Sequence, residues 1–178
     1  KLNMDDGFAR GLSPDDGVEA ARLLAADGAL DALQLTGGFT GRTPMFLMRG
    51  EVPIAEMIAA ERSALRRLGM RLLAPSLVRP YAFEEAFFLP AARRIRAAVS
   101  IPLMLLGGIT KRATLERAMA EGFEFVAMAR ALLFDPDLVR RYQAGAAAES
   151  GCTHCNRCMT AMERGGTRCV LREAAPAA

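Results

Sequence analysis

Apolar and polar positions alternate along the chain in blocks that are typical of a protein with both strands and helices. Short apolar runs at residues 30–36, 101–106 and 123–128 predict strands, and residues 1–4 have the pattern of the end of an earlier strand. The run at 101–106, IPLMLL, is apolar throughout, as in parallel strands that are buried on both faces.

Helical spacing of apolar residues, together with boundary signals, fills the segments between these strands. Ser13 and Pro14 mark the start of the first helix, and Thr110 is a candidate N-cap for a later one. The predicted helices span residues 14–27, 53–68, 84–99, 110–121 and 135–143. Residues 70–83, which hold Pro75 and Pro80, are expected to be irregular. Alternating strands and helices predict an α/β fold whose parallel sheet is built from right-handed crossovers.

Two consecutive predicted strands end in residues that could bind a ligand, a glycine pair after one strand and an arginine after the other. Gly107 and Gly108 come after the third predicted strand, and Ala129 and Arg130 come after the fourth. Exposed backbone N–H groups and a guanidinium group at such ends suit a phosphate. In a (β/α)8 barrel, the loops after the last two strands commonly form a phosphate site. A tight turn and a surface arginine would explain the same residues without a ligand.

The four cysteines lie close together near the end of the chain. Cys152, Cys155 and Cys158 have the spacing C-x2-C-x2-C, and Cys169 is the fourth. Such tight spacing fits a disulfide framework poorly, because bonded cysteines need a Cα separation of about 4.4–6.8 Å with suitable Cβ directions. Four thiolates suit a [4Fe–4S] cluster or zinc, and unligated thiols in a cytosolic protein are the third alternative.

Charge and hydropathy exclude several partners. The net charge of +3, with no basic run and no Trp, does not indicate nucleic-acid binding. No apolar run reaches the ~18 residues of a spanning helix, so no membrane is expected as a partner. The chain begins at Lys1 without a recognisable leader, and a cytoplasmic location is expected.

Several segments, taken in order, resemble one family of flavoproteins. They are KLNMDDGF, LDALQLTGG, IPLMLLGGIT, GFEFVAMARALLFDPDLV and CTHCNRCM. This series is similar to the C-terminal half of the old yellow enzyme family, the NADH:flavin oxidoreductases that include 2,4-dienoyl-CoA reductase. The resemblance implies strands five to eight of a TIM (β/α)8 barrel followed by a cysteine-rich tail. It implies a partial FMN-binding barrel at residues 1–145, the cysteine-rich tail at 146–172 and a disordered end at 173–178.

The resemblance also implies roles for individual residues. Lys1 would approach the N1/C2 edge of the flavin, where many members have Arg, although a solvated terminal lysine is the alternative. The FMN phosphate would be bound by Gly107, Gly108, Ala129 and Arg130, with Ala129 in place of the more usual Gly. The [4Fe–4S] cluster would be held by Cys152, Cys155, Cys158 and Cys169, although the spacing differs from that of the cluster-bearing members. No catalytic residue is assigned, because the family's substrate-binding residues lie in the first half of the barrel.

The implied activity is that of an oxidoreductase that transfers hydride from NAD(P)H through FMN to a small unsaturated acceptor. Because a complete barrel needs ~250 residues, the chain would be a fragment whose partner is the missing N-terminal half. Alone, it is expected to aggregate, to form a homo-oligomer or to bind that half. Two other interpretations stay open: an inactive half-barrel that serves as an interaction module, and a different phosphate-binding TIM-barrel enzyme.

Overall fold

The computed structural model describes residues 1–162 and 165–173, without the side chains of Pro75, Leu77 and Glu173. Its four strands are β1 (Leu2–Asn3), β2 (Leu33–Thr36), β3 (Leu103–Leu106) and β4 (Phe125–Ala127). Its ten helices in these residues are α1 (Pro14–Ala26), α2 (Pro44–Leu47), α3 (Ile54–Ala60), α4 (Ala64–Leu77), α5 (Leu89–Arg96), α6 (Arg112–Ala120), α7 (Arg130–Phe134), α8 (Leu138–Gln143), α9 (Arg157–Met162) and α10 (Val170–Glu173). Apart from Glu173, the expected disordered end at 173–178 lies outside the described residues.

The strands form one parallel sheet in the order β1-β2-β3-β4. Leu2 lies opposite Leu35, and Leu33 lies opposite Leu103, so the apolar runs are in register. This sheet confirms the α/β class and is consistent with half of a barrel. The strands are shorter than the apolar runs that predicted them, and β2, β3 and β4 lose residues mainly at their N-terminal ends.

The core lies between the sheet and its helices. Leu33, Leu35, Leu103 and Leu105 alternate with less buried neighbours along β2 and β3. They pack in one cluster with other buried residues that include Phe88, Leu89, Ile95, Ala118 and Phe123.

The start of α1 follows its sequence signals. The Ser13 hydroxyl accepts a hydrogen bond from the Asp16 backbone N–H at 3.2 Å, and the Asp16 carboxylate accepts one from the Ser13 N–H at 2.9 Å. This reciprocal capping box satisfies two donors at the helix start, as Ser13 followed by Pro14 predicted.

The predicted helix at 53–68 is wrong as a single element. It is interrupted after Ala60, where Glu61 is extended and its side chain accepts a hydrogen bond from Ser63 N at 2.8 Å. Ser63 then caps α4, which continues to Leu77 through the region expected to be irregular. None of the helices in residues 1–162 and 165–173 is both long and apolar enough to cross a membrane.

The predicted helix at 84–99 begins only at Leu89. The preceding residues form a loop below the end of β3, with Ala86 at φ 53° and its N–H bonded to the Gly108 carbonyl at 2.9 Å. A helix through this segment would break that contact, so tertiary packing overrides the local pattern.

Candidate flavin and cluster site

A cavity of about 360 Å³, called the large cavity below, opens at the carboxyl ends of β3 and β4. Four of the five predicted cofactor residues line it: Gly107, Gly108, Ala129 and Arg130. The cysteine-rich tail contributes His154 and Cys158 to the same wall. Lys1 is exposed at the start of β1 and is not among the lining residues, so the structure does not bring it to the other four.

Gly107 and Gly108 are fixed by the packing beneath them. Their φ angles are 119° and 69°, which side chains other than glycine rarely adopt. A Cβ atom at Gly107 would lie 2.6 Å from the Phe88 ring, and one at Gly108 would lie 2.6 Å from the Phe87 ring. The glycine pair is therefore needed for the turn itself, whether or not a phosphate binds there.

An anion from the chain already occupies the start of the helix that follows this turn. The Glu85 carboxylate accepts hydrogen bonds from Thr110 N at 2.8 Å, Thr110 Oγ1 at 2.6 Å and Lys111 N at 3.0 Å. The expectation that Thr110 caps this helix is wrong, since the N-cap is Lys111 and its side chain makes no capping bond. These N–H groups are therefore not free for a phosphate.

Arg130 lies at the boundary between the cavity and the cysteines. Its Nη1 donates to the Arg49 carbonyl at 2.8 Å and to Asn156 Oδ1 at 2.5 Å. Its Nε and Nη2 have no protein partner among the described residues, which leaves one edge of the guanidinium fork for a ligand. Burial lowers the pKa of Arg130, and the neighbouring thiols of Cys152, Cys158 and Cys155 oppose that shift.

The four cysteines line one narrow cavity of about 20 Å³ on the other side of Arg130. All four are free thiols. Burial raises the pKa of Cys152 and of Cys158, while the positive charge of Arg130 acts in the opposite direction. Cys158 also lines the large cavity, so the two cavities share Arg130, Leu133 and Cys158 as a wall.

Within the described part of the chain, no three His, Cys, Asp or Glu side chains are arranged to hold a metal ion. The donor set of four thiols around a shared cavity suits an iron–sulfur cluster, whose irons are each bound by a separate thiolate.

Asn156, which sequence analysis did not single out, connects the cysteine turn to the segment that follows α2. It is 1% exposed, and its Nδ2 donates to the carbonyl oxygens of Met48 at 2.6 Å and Glu51 at 2.8 Å. Its φ of 56° is in the left-handed region, where Asn is one of the better-tolerated residues. The signal available in the sequence was an Asn directly after the second cysteine, in a turn that needs such a residue.

His154 lies inside the cysteine turn and faces an aromatic ring. Its imidazole stacks on Phe83 with ring centroids 3.4 Å apart, and its buried Nε2 has no hydrogen-bond partner in the described residues. Burial, assisted by the charge of Arg130, lowers the pKa of His154 to about 4. The imidazole is therefore neutral at physiological pH.

The residues of the large cavity fit a flavin nucleotide. The volume lies in the range of small-molecule sites, the lining is mostly apolar, and the free edge of Arg130 supplies a cation for a phosphate. The fit does not extend to the N-terminus of α6, which Glu85 occupies.

Comparisons with known proteins give two oxidoreductases as relatives. The chain is 50% identical over 174 residues to the 4,4'-dithiodibutanoate disulfide reductase of Rhodococcus erythropolis, covering 98% of this chain and 43% of that protein. It is 33% identical over 84 residues to an NADH oxidase of Thermoanaerobacter brockii, covering 46% of this chain and 13% of that protein. The chain thus spans less than half the length of either curated relative. No family model matches the chain. No solved structure matches it.

Proposed function

We propose that the chain forms the C-terminal half of an FMN-binding TIM barrel in an NAD(P)H-dependent oxidoreductase. The observation that carries this proposal is the cavity at the carboxyl ends of β3 and β4, which unites Gly107, Gly108, Ala129 and Arg130 with the cysteine-rich tail. Enzymes built on parallel barrels have their active sites at this end of the strands. The names of the two relatives support a redox reaction.

The open edges of the sheet support a missing half. β1 and β4 each pair with only one described strand, and Phe125 on β4 is 48% exposed. Unpaired strand edges tend to bind further strands. The N-terminal half-barrel is the partner that would pair with both edges and close the barrel.

The acceptor is proposed to be a small organic disulfide. This proposal follows from the name of the relative that is 50% identical, a disulfide reductase, and a disulfide therefore replaces the unsaturated compound as the first choice of acceptor. The net reaction consumes NAD(P)H, one proton and one disulfide, and it yields NAD(P)⁺ and two thiols. The hydride and the proton together reduce the S–S bond. Reduction of an activated alkene is the second candidate, because the motif order resembles enzymes with that activity.

In this proposal FMN supplies hydride and single-electron transfer when it is bound. The chain's own residues would bind the cofactor phosphate and keep water from the cavity wall. Arg130 offers Nε and Nη2 to the phosphate while Nη1 stays fixed on Asn156 and the Arg49 carbonyl. The neutral His154 and the apolar residues around it limit water at the wall of the cavity.

The cysteines are proposed to hold a [4Fe–4S] cluster. Around one Zn²⁺, with Zn–S bonds of about 2.3 Å, the sulfurs would converge on a single point. A [4Fe–4S] cluster is instead bound by four Cys thiolates, and four thiols line this one cavity. The positive charge of Arg130 next to the thiols would partly offset the charge of the four thiolates.

The test uses the full-length protein, purified without oxygen. We expect flavin absorption bands, a broad iron–sulfur shoulder and NAD(P)H oxidation that depends on 4,4'-dithiodibutanoate. Arg130→Ala should weaken FMN binding about tenfold or more, since it removes a charged phosphate contact. Arg140→Ala is the matched control, because that side chain is 83% exposed.

Each negative result has a distinct meaning. A protein without flavin and iron would contradict both cofactor assignments and would favour an interaction module or another phosphate-binding barrel. Flavin without iron would contradict the cluster alone. Turnover of an α,β-unsaturated ketone without turnover of the disulfide would favour the second acceptor.

A further inference from the structure

Helix α4 presents leucine to solvent on the side that surface helices normally make polar. Leu65 is 81% exposed, Leu68 is 55% exposed and Leu72 is 72% exposed. At about 100° per residue, these three positions fall within an arc of roughly 60° on the helix. Ala74, the buried residue of this helix, lies two residues beyond Leu72 and so on the opposite side.

Arginine flanks this leucine stripe on both sides. Arg66 and Arg71 are exposed and lie on either side of the stripe in the helical projection. In the described part of the chain neither side chain forms an ion pair. Residues 62–83 include five Arg and neither Asp nor Glu. The face therefore combines protruding apolar side chains with an uncompensated positive charge.

We propose that the leucine stripe of α4 binds the surface of a bilayer that contains anionic lipids. A helix with a basic, amphipathic outer face lies in the interface with its apolar side chains among the acyl chains, while arginine heads reach the phosphates. This is peripheral binding, and it does not conflict with the absence of a spanning helix from the described residues.

Two other occupants fit the face less well. In a two-fold interface between copies, the same surface meets itself, so Arg66 and Arg71 of both copies would gather without an acid in residues 62–83 to offset them. The missing half-barrel would pair at β1 and β4, whereas α4 follows β2, which already has a strand on each side. A fluid anionic bilayer can instead accommodate the protruding leucines among its acyl chains and pair the arginines with its phosphates.

The test is co-sedimentation of the full-length protein with lipid vesicles. We expect at least about tenfold stronger binding to phosphatidylcholine vesicles that contain phosphatidylglycerol than to phosphatidylcholine alone, and a loss of binding at high salt. The variants Leu65→Ser/Leu72→Ser and Arg66→Gln/Arg71→Gln should each bind the anionic vesicles about tenfold less well. Leu23→Ser on α1 is the control, because Leu23 is 65% exposed but lies one turn from Glu19 and Asp27.

Equal binding to both kinds of vesicle, or leucine variants that bind like the wild type, would overturn the proposal. Sedimentation velocity tests the alternative that the stripe is a protein interface. If the wild type does not bind vesicles and forms an oligomer or a complex that the leucine variants do not form, the stripe is a protein interface. Because flavin content is measured independently, failure here leaves the proposed redox function untouched.

Discussion

The side chains packed between the sheet and its helices are apolar, and Leu35, Leu103 and Leu105 have no exposed surface. Among the described residues of the cysteine-rich tail, the most deeply buried side chain is instead the amide of Asn156, at 1% exposure. The sheet buries surface that has no directional preference, whereas the tail is attached through hydrogen bonds that each need a particular partner. We infer that the sheet tolerates conservative changes of shape better than the tail tolerates any change of polar atoms.

Four hydrogen bonds attach the tail to segments that lie especially far away in the sequence. Asn156 bonds to Met48 and Glu51, the His154 carbonyl accepts from Glu51 N at 3.0 Å, and Ser150 N donates to the Thr110 carbonyl at 2.8 Å. The pairs are 40 to 108 residues apart, by subtraction of their numbers. Loss of one bond should therefore free the tail locally and leave the sheet folded.

Truncation in the sheet core is expected to have the largest effect. Leu105→Ala should lower the free energy of unfolding by about 3 kcal/mol, because it removes buried methyl groups and leaves a cavity. Urea unfolding of the full-length protein measures this change. Leu72→Ala is the control: at 72% exposure, it should change the same quantity by less than about 0.5 kcal/mol. Equal losses would contradict the position of the core.

Removal of the Asn156 amide is expected to lower the free energy of local unfolding of the tail by about 2 kcal/mol. Asn156→Ala leaves the carbonyls of Met48 and Glu51 without their donor and Arg130 without one acceptor. Hydrogen exchange should accelerate at the Glu51 amide but not at the Leu33 amide, which bonds to Pro102 within the sheet region.

Asn156→Gly separates the side chain from the backbone. Glycine keeps the left-handed φ of 56° without strain, so we expect it to be about 1 kcal/mol less destabilising than alanine. Equal losses in both variants would show that the hydrogen bonds alone hold the turn. Faster exchange in the sheet would instead show that tail and sheet unfold together.

An intermediate effect is expected at Glu85, whose carboxylate makes the polar contact at the turn after β3. Glu85→Gln keeps one oxygen for the Thr110 and Lys111 N–H groups and turns its NH₂ to the Thr110 hydroxyl, but it removes the negative charge that strengthens these hydrogen bonds, so we expect the free energy of unfolding to fall by about 1–2 kcal/mol. The melting transition measures it. Glu84→Gln is the matched control, because that side chain is 71% exposed and its Arg49 contact is 3.8 Å long. A neutral result at Glu85 would mean that apolar packing alone holds the turn after β3.

The elements that sequence analysis located well are those whose signals are local. The continuous apolar run before Gly107 identified β3, and Ser13 with Pro14 identified the start of α1. The glycine pair marked the end of a strand, and that end lies at the large cavity. Hydrophobic period, caps and turns act over a few residues, so they are visible in one sequence.

The contacts that sequence analysis missed join distant segments. Glu85 reaches Thr110 across 25 residues, and Asn156 reaches Glu51 across 105. Neither pairing leaves a periodic signal, because one polar side chain suffices on each side. For the same reason sequence analysis did not predict that the Glu85 carboxylate accepts hydrogen bonds from Thr110 N and Lys111 N, and phosphate binding at Gly107 and Gly108 stays a prediction.

The smallest effect is expected at a solvent-exposed ion pair between the tail and the start of α6. Lys111 Nζ lies 3.7 Å from the Glu149 carboxylate, and both side chains are more than half exposed. Glu149→Gln should change the free energy of unfolding by less than about 0.5 kcal/mol, because water and salt screen such a pair. Two backbone hydrogen bonds lie beside it, from Arg112 N to Ala148 O at 2.9 Å and from Ser150 N to Thr110 O. We expect these bonds, rather than the ion pair, to order residues 148–150, the linker before the cysteines. Hydrogen exchange at the Arg112 and Ser150 amides checks this directly. Faster exchange there in Glu149→Gln would show that the ion pair orders the linker, and the tail would then depend on charge as well as on hydrogen bonds.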